Sequence, residues 1–288
     1  MELCLGTAQI GLAYGIRKAK VPFDDVMMIM KHAYKHGIHF LDTAAAYGTA
    51  ECVIGNIMQQ AGLHYNIVTK FNYPEGWQQG KLYSNLCSSL DSLKQSSING
   101  YLLHQASYMN HMEVMQELCD CKRKGLVEKI GVSIYTPSEA INAIHINAID
   151  YIQVPYNIID TRLDRADFFT KAHQNGKTVF ARSLLLQGIL LMKKDELPLS
   201  ISKKAWPVIN LVQEEAVKHG VSILNYLFSF AKTNSNIDFL VIGVENYQQY
   251  LEIYDNFLKS NPDNYDFSAL RRKFYCVSDI ILNPSLWR

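Results

Sequence analysis

Short apolar runs recur along the chain, and each is followed by a longer segment whose apolar residues repeat at helical spacing. Unalternating apolar runs of this length are the pattern of parallel strands buried on both faces. They predict strands at 2–5, 38–41, 66–69, 100–103, 129–133, 151–154, 178–181 and 239–242. Helices are predicted at 24–36, 51–60, 81–93, 112–124, 138–146, 165–175, 208–218, 223–232 and 247–258. In the first of these, Val26, Ile29, Met30 and Ala33 share one face, Asp24 stands at the N-cap, and Gly37 falls where a left-handed C-cap belongs. Gly125 and Gly176 close two later helices in the same way. The stretch 198–206 reads as an irregular loop.

Eight strand–helix units in 288 residues predict a closed (β/α)8 barrel, with residues 1–288 as one domain carrying long C-terminal loops. An open doubly wound sheet would carry a glycine fingerprint after its first strand, but the glycines fall at Gly6, Gly11 and Gly15, which is not that spacing.

Composition narrows the function. With 48% hydrophobic and 19% charged residues the chain can bury a sizeable core. The 28 Lys and Arg against 27 Asp and Glu leave a net charge of +1, without the basic excess of a nucleic-acid binder. No apolar run approaches the ~20 residues needed to span a bilayer. The six cysteines are scattered, Cys119 and Cys121 lack the two-residue gap of a redox or zinc pair, and no signal peptide is evident; all thiols are expected reduced and the protein cytoplasmic.

In a barrel of this kind the active site lies at the carboxyl ends of the strands. Asp42 and Thr43 follow the second predicted strand, with Tyr47 in the same loop. Lys70 follows the third and His104 the fourth. Ser133 ends the fifth, Gln153 lies near the end of the sixth, and Arg182 follows the seventh. One rim therefore collects a carboxylate, a phenol, an ammonium and an imidazole. Taken singly, each has an ordinary structural reading as a loop cap, a packed tyrosine, a surface lysine or a core histidine. Their joint placement on one rim favours a catalytic set.

These residues, in this order, resemble the aldo/keto reductase superfamily. The matching segments are Leu5-Gly-Thr-Ala, Phe40-Leu-Asp-Thr-Ala-Ala-Ala-Tyr-Gly, Thr69-Lys70, Leu102-Leu-His104, Ile130-Gly-Val-Ser133, Gln153-Val-Pro-Tyr-Asn157, Arg182-Ser-Leu-Leu-Leu-Gln-Gly188 and Val241-Ile-Gly243. The resemblance implies a (β/α)8 barrel that uses NADP(H) or NAD(H) to interconvert carbonyls and alcohols, with the tetrad Asp42, Tyr47, Lys70 and His104. Chemically, hydride reaching a carbonyl leaves an alkoxide that needs a proton. Tyr47 would give it, Lys70 would lower the phenol pKa, Asp42 would anchor Lys70, and His104 would hydrogen-bond the carbonyl oxygen.

The same resemblance assigns cofactor contacts to Gly6, Thr7 and Asp42, to Ser133 and Gln153 at the carboxamide, and to Ser183, Leu185 and Gly188 over the pyrophosphate. The family's Asn after the serine is Ile134 here. Its usual aromatic ring on the nicotinamide is replaced by Arg182, whose planar guanidinium could cover the ring. Gly243, Glu245 and Gln249 fall in the segment that meets the adenosine ribose, which has no Lys or Arg to pair with a 2′-phosphate. Glu245 is open to two readings, a ribose ligand favouring NAD(H) or a cap on the final helix. Substrate choice is expected from Tyr14, Phe71 to Trp77, Tyr108 and the tail from Asn261 to Trp287, and a small carbonyl, a sugar or a sugar nucleotide would suit them. No partner protein is indicated. Two other classes stay open: a non-catalytic subunit that senses the nicotinamide cofactor, and a metal-dependent barrel hydrolase. No His-x-His pair at a strand end supports the latter, and no metal is expected.

Overall fold

Eight parallel strands close on themselves in chain order in the computed structural model, which describes residues 1–71 and 78–287. They are β1 (Glu2–Gly6), β2 (Phe40–Asp42), β3 (Asn66–Phe71), β4 (Ile98–Leu103), β5 (Val127–Ser133), β6 (Tyr151–Pro155), β7 (Thr178–Arg182) and β8 (Phe239–Gly243). Each predicted strand is present, and β8 pairs back onto β1, so the sheet has no edge. The main surrounding helices are α1 (Phe23–Lys35), α2 (Ala50–Ala61), α3 (Lys81–Leu93), α4 (Met112–Arg123), α5 (Pro137–His145), α6 (Phe168–Gln174), α7 (Leu199–Lys218), α8 (Ile223–Lys232) and α9 (Tyr247–Lys259). The fold is the expected (β/α)8 barrel. No helix among the described residues is long and apolar enough to cross a membrane.

Two elements depart from the sequence expectation. The stretch 198–206 is not an irregular loop; most of it forms the first turns of α7, which runs through Pro207. A proline inside a helix costs about 3 kcal/mol, through its missing N–H and ring clash. Here Pro207 is exposed, while Ile201, Ala205, Ile209, Val212 and Ala216 form a continuous buried stripe on the other face. Burying a large aliphatic side chain is favourable by about 1.5–3 kcal/mol, so Ile201 and Ile209 together outweigh the proline. The predicted helix 165–175 is broken at Asp167, which takes a left-handed φ of 51° between a turn at Arg162–Arg165 and α6.

The barrel interior is layered because residues two apart on a strand face the same way. At the amino end lie Phe40, Tyr151, Phe180 and Phe239, with the Phe180 and Phe239 rings stacked at 4.6 Å. Room for Tyr151 comes from its neighbour: a Cβ on Gly131 would lie 2.2 Å from the Tyr151 carbonyl oxygen. Cys4, Val68, Leu102 and Val241 belong to the same buried cluster. One step further along each strand comes a polar rim: Asp42, Lys70, His104, Ser133, Gln153 and Arg182. On β1 and β8 the corresponding residues are Gly6 and Gly243, which are paired across the seam. The two glycines leave the rim open on that side, and a Cβ on Gly243 would come within 2.8 Å of Gln9 Oε1.

Candidate active site

Asp42 is the hub of the rim. Its Oδ1 accepts from Lys70 Nζ at 2.6 Å and from Gln153 Nε2 at 2.7 Å. Its backbone oxygen accepts from both the Thr7 hydroxyl and the Thr7 amide at 3.0 Å. Lys70 donates a second bond to the Thr43 carbonyl at 2.9 Å and is completely buried. A buried ammonium is tolerable only when paired and hydrogen-bonded, and both conditions are met. Ser133 Oγ donates to Gln153 Oε1 at 3.4 Å, extending the chain of polar contacts along β5 and β6.

Tyr47 stands over this pair from the loop after β2. Lys70 Nζ is 5.3 Å from its ring centroid, and the His104 ring meets it edge-on with centroids 6.0 Å apart. Desolvation pushes the Tyr47 phenol well above its ordinary range, and the Asp42 carboxylate adds to that shift; Arg182 opposes it. Asp42 holds the Lys70 ammonium at close range, and the Arg182 charge acts on the phenol against the upward shift. Desolvation also holds His104 neutral, with its pKa brought down to about 3, and Lys70 and Arg182 push in the same direction. His104 Nδ1 is buried without a hydrogen-bond partner among the described residues.

One cleft opens at this rim. Its wall includes Asp42, Tyr47 and His104, with Lys70 directly behind them. All the other sequence-predicted contacts lie on the same wall: Gly6 and Thr7 from β1 and its end, Ser133 and Gln153, Arg182, Ser183, Leu185 and Gly188 from β7 and its loop, and Gly243, Glu245 and Gln249 from β8 onward. The loop after β7 is bent by left-handed φ angles at Ser183 (64°), Leu186 (46°) and Gln187 (54°). Leu185, in right-handed geometry, precedes left-handed Leu186, whose amide donates to the Ser183 carbonyl at 3.0 Å and closes the turn.

Several contacts were not foreseen, and some bring in residues not singled out from the sequence. Gln153 bonds Asp42 as well as Ser133, and Tyr135 joins the wall under the Arg182 guanidinium at 4.4 Å. Arg17, from the loop after β1, reaches Glu245 at 3.9 Å and Glu196 at 3.7 Å. Gln187 donates to the Tyr14 hydroxyl at 3.2 Å, joining the loops after β1 and β7. A basic group thus arrives beside Glu245 from a distant part of the chain, although the segment after β8 has none. Glu245 is not the helix cap: Asn246 caps α9 by accepting from the Gln249 amide at 2.8 Å, and Asp25 accepts from the Tyr247 amide. No local sequence signal links Arg17 to Glu245; a loop closing over the rim is the only cue.

Of the residues expected to choose the substrate, Tyr14 lines the cleft. Tyr108 is buried with its ring 5.6 Å from Phe71. The tail anchors on α7, with Ser200 Oγ donating to the Trp287 carbonyl, and places no described residue in the cleft wall. Residues 72–77 of the Phe71 to Trp77 stretch lie outside the described residues.

A family model described as the aldo/keto reductase family matches residues 2–273, and the chain belongs to that family. Among characterised relatives, the methylglyoxal reductase DkgB of Salmonella typhi is 25% identical over 218 residues, covering 74% of this chain and 80% of the relative. D-arabinose 1-dehydrogenase of Saccharomyces cerevisiae is 26% identical over 149 residues, or 46% of this chain and 42% of the relative. A holo-form aldo-keto reductase from Bacillus halodurans superposes with a TM-score of 0.76 at 18% identity, covering 100% of this chain and 95% of that one, which shows the shared barrel.

Proposed function

We propose that this protein is a nicotinamide-dinucleotide-dependent oxidoreductase that interconverts a small carbonyl compound and its alcohol, with Tyr47 as proton donor and acceptor. The observation that carries this reading is the rim itself: a protonated phenol and a neutral imidazole face one cleft, backed by the buried Asp42–Lys70 pair.

The residues present fit the cofactor. The Ser133 hydroxyl and the Gln153 amide suit a carboxamide, the Ser183–Gly188 loop lines the cleft where a pyrophosphate would lie, and the glycine pair at 6 and 243 leaves the rim open between β1 and β8. When bound, the nicotinamide supplies the hydride. Tyr47 is a protonated phenol at neutral pH, as any tyrosine is, and gives its proton from Oη to the substrate oxygen as charge develops there. His104, kept neutral, can donate one hydrogen bond to the same oxygen and so orients the carbonyl. Asp42 and Gln153 fix the Lys70 ammonium behind the phenol, where its charge favours the phenolate left once the proton has moved.

Glu245 is free of the capping role and lines the cleft with its carboxylate toward Arg17, which supports a contact with a ribose diol and use of NAD(H) alongside NADP(H). The relatives' names, a methylglyoxal reductase and a D-arabinose dehydrogenase, support an oxoaldehyde or a sugar as the substrate class. On this reading residues 1–288 form one catalytic unit acting on a diffusible substrate in the cytoplasm.

The test is turnover of methylglyoxal and of D-arabinose with NADPH or NADH and with the oxidised cofactors. Cofactor binding is expected, with turnover reduced by about 10²–10⁴-fold in Tyr47→Phe. Saturable cofactor binding without turnover of any carbonyl would favour the cofactor-sensing subunit instead.

A further inference from the structure

The charges around the cleft nearly cancel, with one exception. Asp42 is matched by Lys70 at 2.6 Å, and Glu245, on the segment after β8, lies 3.9 Å from Arg17. Tyr47 and His104 are neutral. Arg182 has no carboxylate within ion-pair distance among the described residues. Its Nη2 donates to the Ile134 carbonyl at 3.0 Å, its Nη1 to Ser183 Oγ at 3.3 Å, and its face lies 4.4 Å from the Tyr135 ring centroid. All three partners are neutral. They fix the guanidinium from three sides without cancelling its charge, and an arginine cannot shed that charge by deprotonation. Its field reaches the reacting groups, opposing the upward shift at Tyr47 and deepening the downward shift at His104.

A fixed, uncompensated cation at this end of the cleft discriminates between the two forms of the ligand proposed above. Loss of hydride turns the uncharged dihydronicotinamide into a cationic pyridinium ring, and no other part of the dinucleotide changes charge. We propose that Arg182 is a redox-state-discriminating residue: its guanidinium makes the reacting end of the cleft net cationic, so the protein binds the reduced cofactor more tightly than the oxidised one. The inference rests on the reading that the cleft holds a nicotinamide dinucleotide. Like charges in a partly desolvated site repel strongly enough to change affinity on the order of tenfold or more. Arg182 then does more than cover a ring, because an aromatic side chain in its place would lack the charge. The functional consequence is ready release of the oxidised cofactor after reduction.

The experiment is calorimetric titration of the full-length protein with NADPH, NADP+, NADH and NAD+, for the native protein, Arg182→Gln and Arg182→Lys, with thermal melts to confirm folding. The readout is the ratio of oxidised to reduced Kd. The native protein and Arg182→Lys are expected to favour the reduced form. Arg182→Gln is expected to lower the ratio about tenfold, chiefly by tightening the oxidised form. An unchanged ratio in Arg182→Gln, or equal weakening of both forms, would overturn the inference and leave the cofactor reading intact. Should Arg182→Gln fail to fold, loss of the preference in a folded Arg182→Lys, or its absence in the native protein, overturns it equally. If the native protein binds none of the four, both the cofactor reading and this inference fall.

Discussion

Lys70 Nζ lies 2.6 Å from Asp42 Oδ1, with both side chains withdrawn from solvent at the polar end of the barrel interior. The two residues come from adjacent strands and point inward because each sits two positions beyond a core residue, Phe40 on β2 and Val68 on β3.

Breaking that pair from one side is expected to be costly. Asp42→Asn leaves a buried ammonium without its counter-charge and should destabilise the fold by about 3–5 kcal/mol. Asp42→Asn combined with Lys70→Met should recover much of the loss, because no buried charge remains. Chemical denaturation of the two variants checks this; a double variant less stable than the single one would refute it.

Tyr47→Phe is expected to reduce carbonyl turnover by about 10²–10⁴-fold, the usual worth of a positioned proton donor. Cofactor affinity should stay within about twofold, a change of less than 0.5 kcal/mol. Steady-state kinetics and calorimetry on the same preparation separate the two effects.

His104 makes a prediction about acid stability. Its pKa is about 3 in the folded protein against an ordinary 6.5, so the unfolded chain binds its proton first. This depressed group contributes stability that is complete above pH 6.5 and is lost as pH falls toward 3. Replacing His104 with Gln should flatten the slope of stability against pH in that window by as much as about 1.4 kcal/mol per pH unit. Denaturation midpoints across the window, native against variant, give the measurement, and identical slopes would count against a neutral buried imidazole.

Glu245→Gln should shift preference toward NADPH. Removing one carboxylate from beside Arg17 leaves that guanidinium freer to meet a 2′-phosphate, and an effect of about five- to tenfold on the NADPH:NADH affinity ratio is expected. Arg17→Ala should move the ratio the opposite way. Paired titrations with the two reduced cofactors report both.

The barrel and its rim were legible from the order and spacing of residues along the chain. Short unalternating apolar runs alternating with helical patterns are what strands buried on both faces look like, and a period of two carries Phe40 to Asp42, Val68 to Lys70 and Leu102 to His104 without knowledge of any contact. The first strand's glycine and the missing basic residues after Gly243 were equally legible, since both are properties of a short segment. How the charges are partnered depends on the folded chain. Arg17 meets Glu245 across 228 positions of sequence, Lys70 is held by Asp42 and the Thr43 carbonyl, and Arg182 finds only neutral partners. The course of α7 through Pro207 was decided the same way, by a buried stripe whose other half belongs to the rest of the molecule. Local spacing fixes which way a side chain points, but ion pairing and desolvation depend on what the closed barrel brings within a few ångströms, and that distance is set by the whole chain.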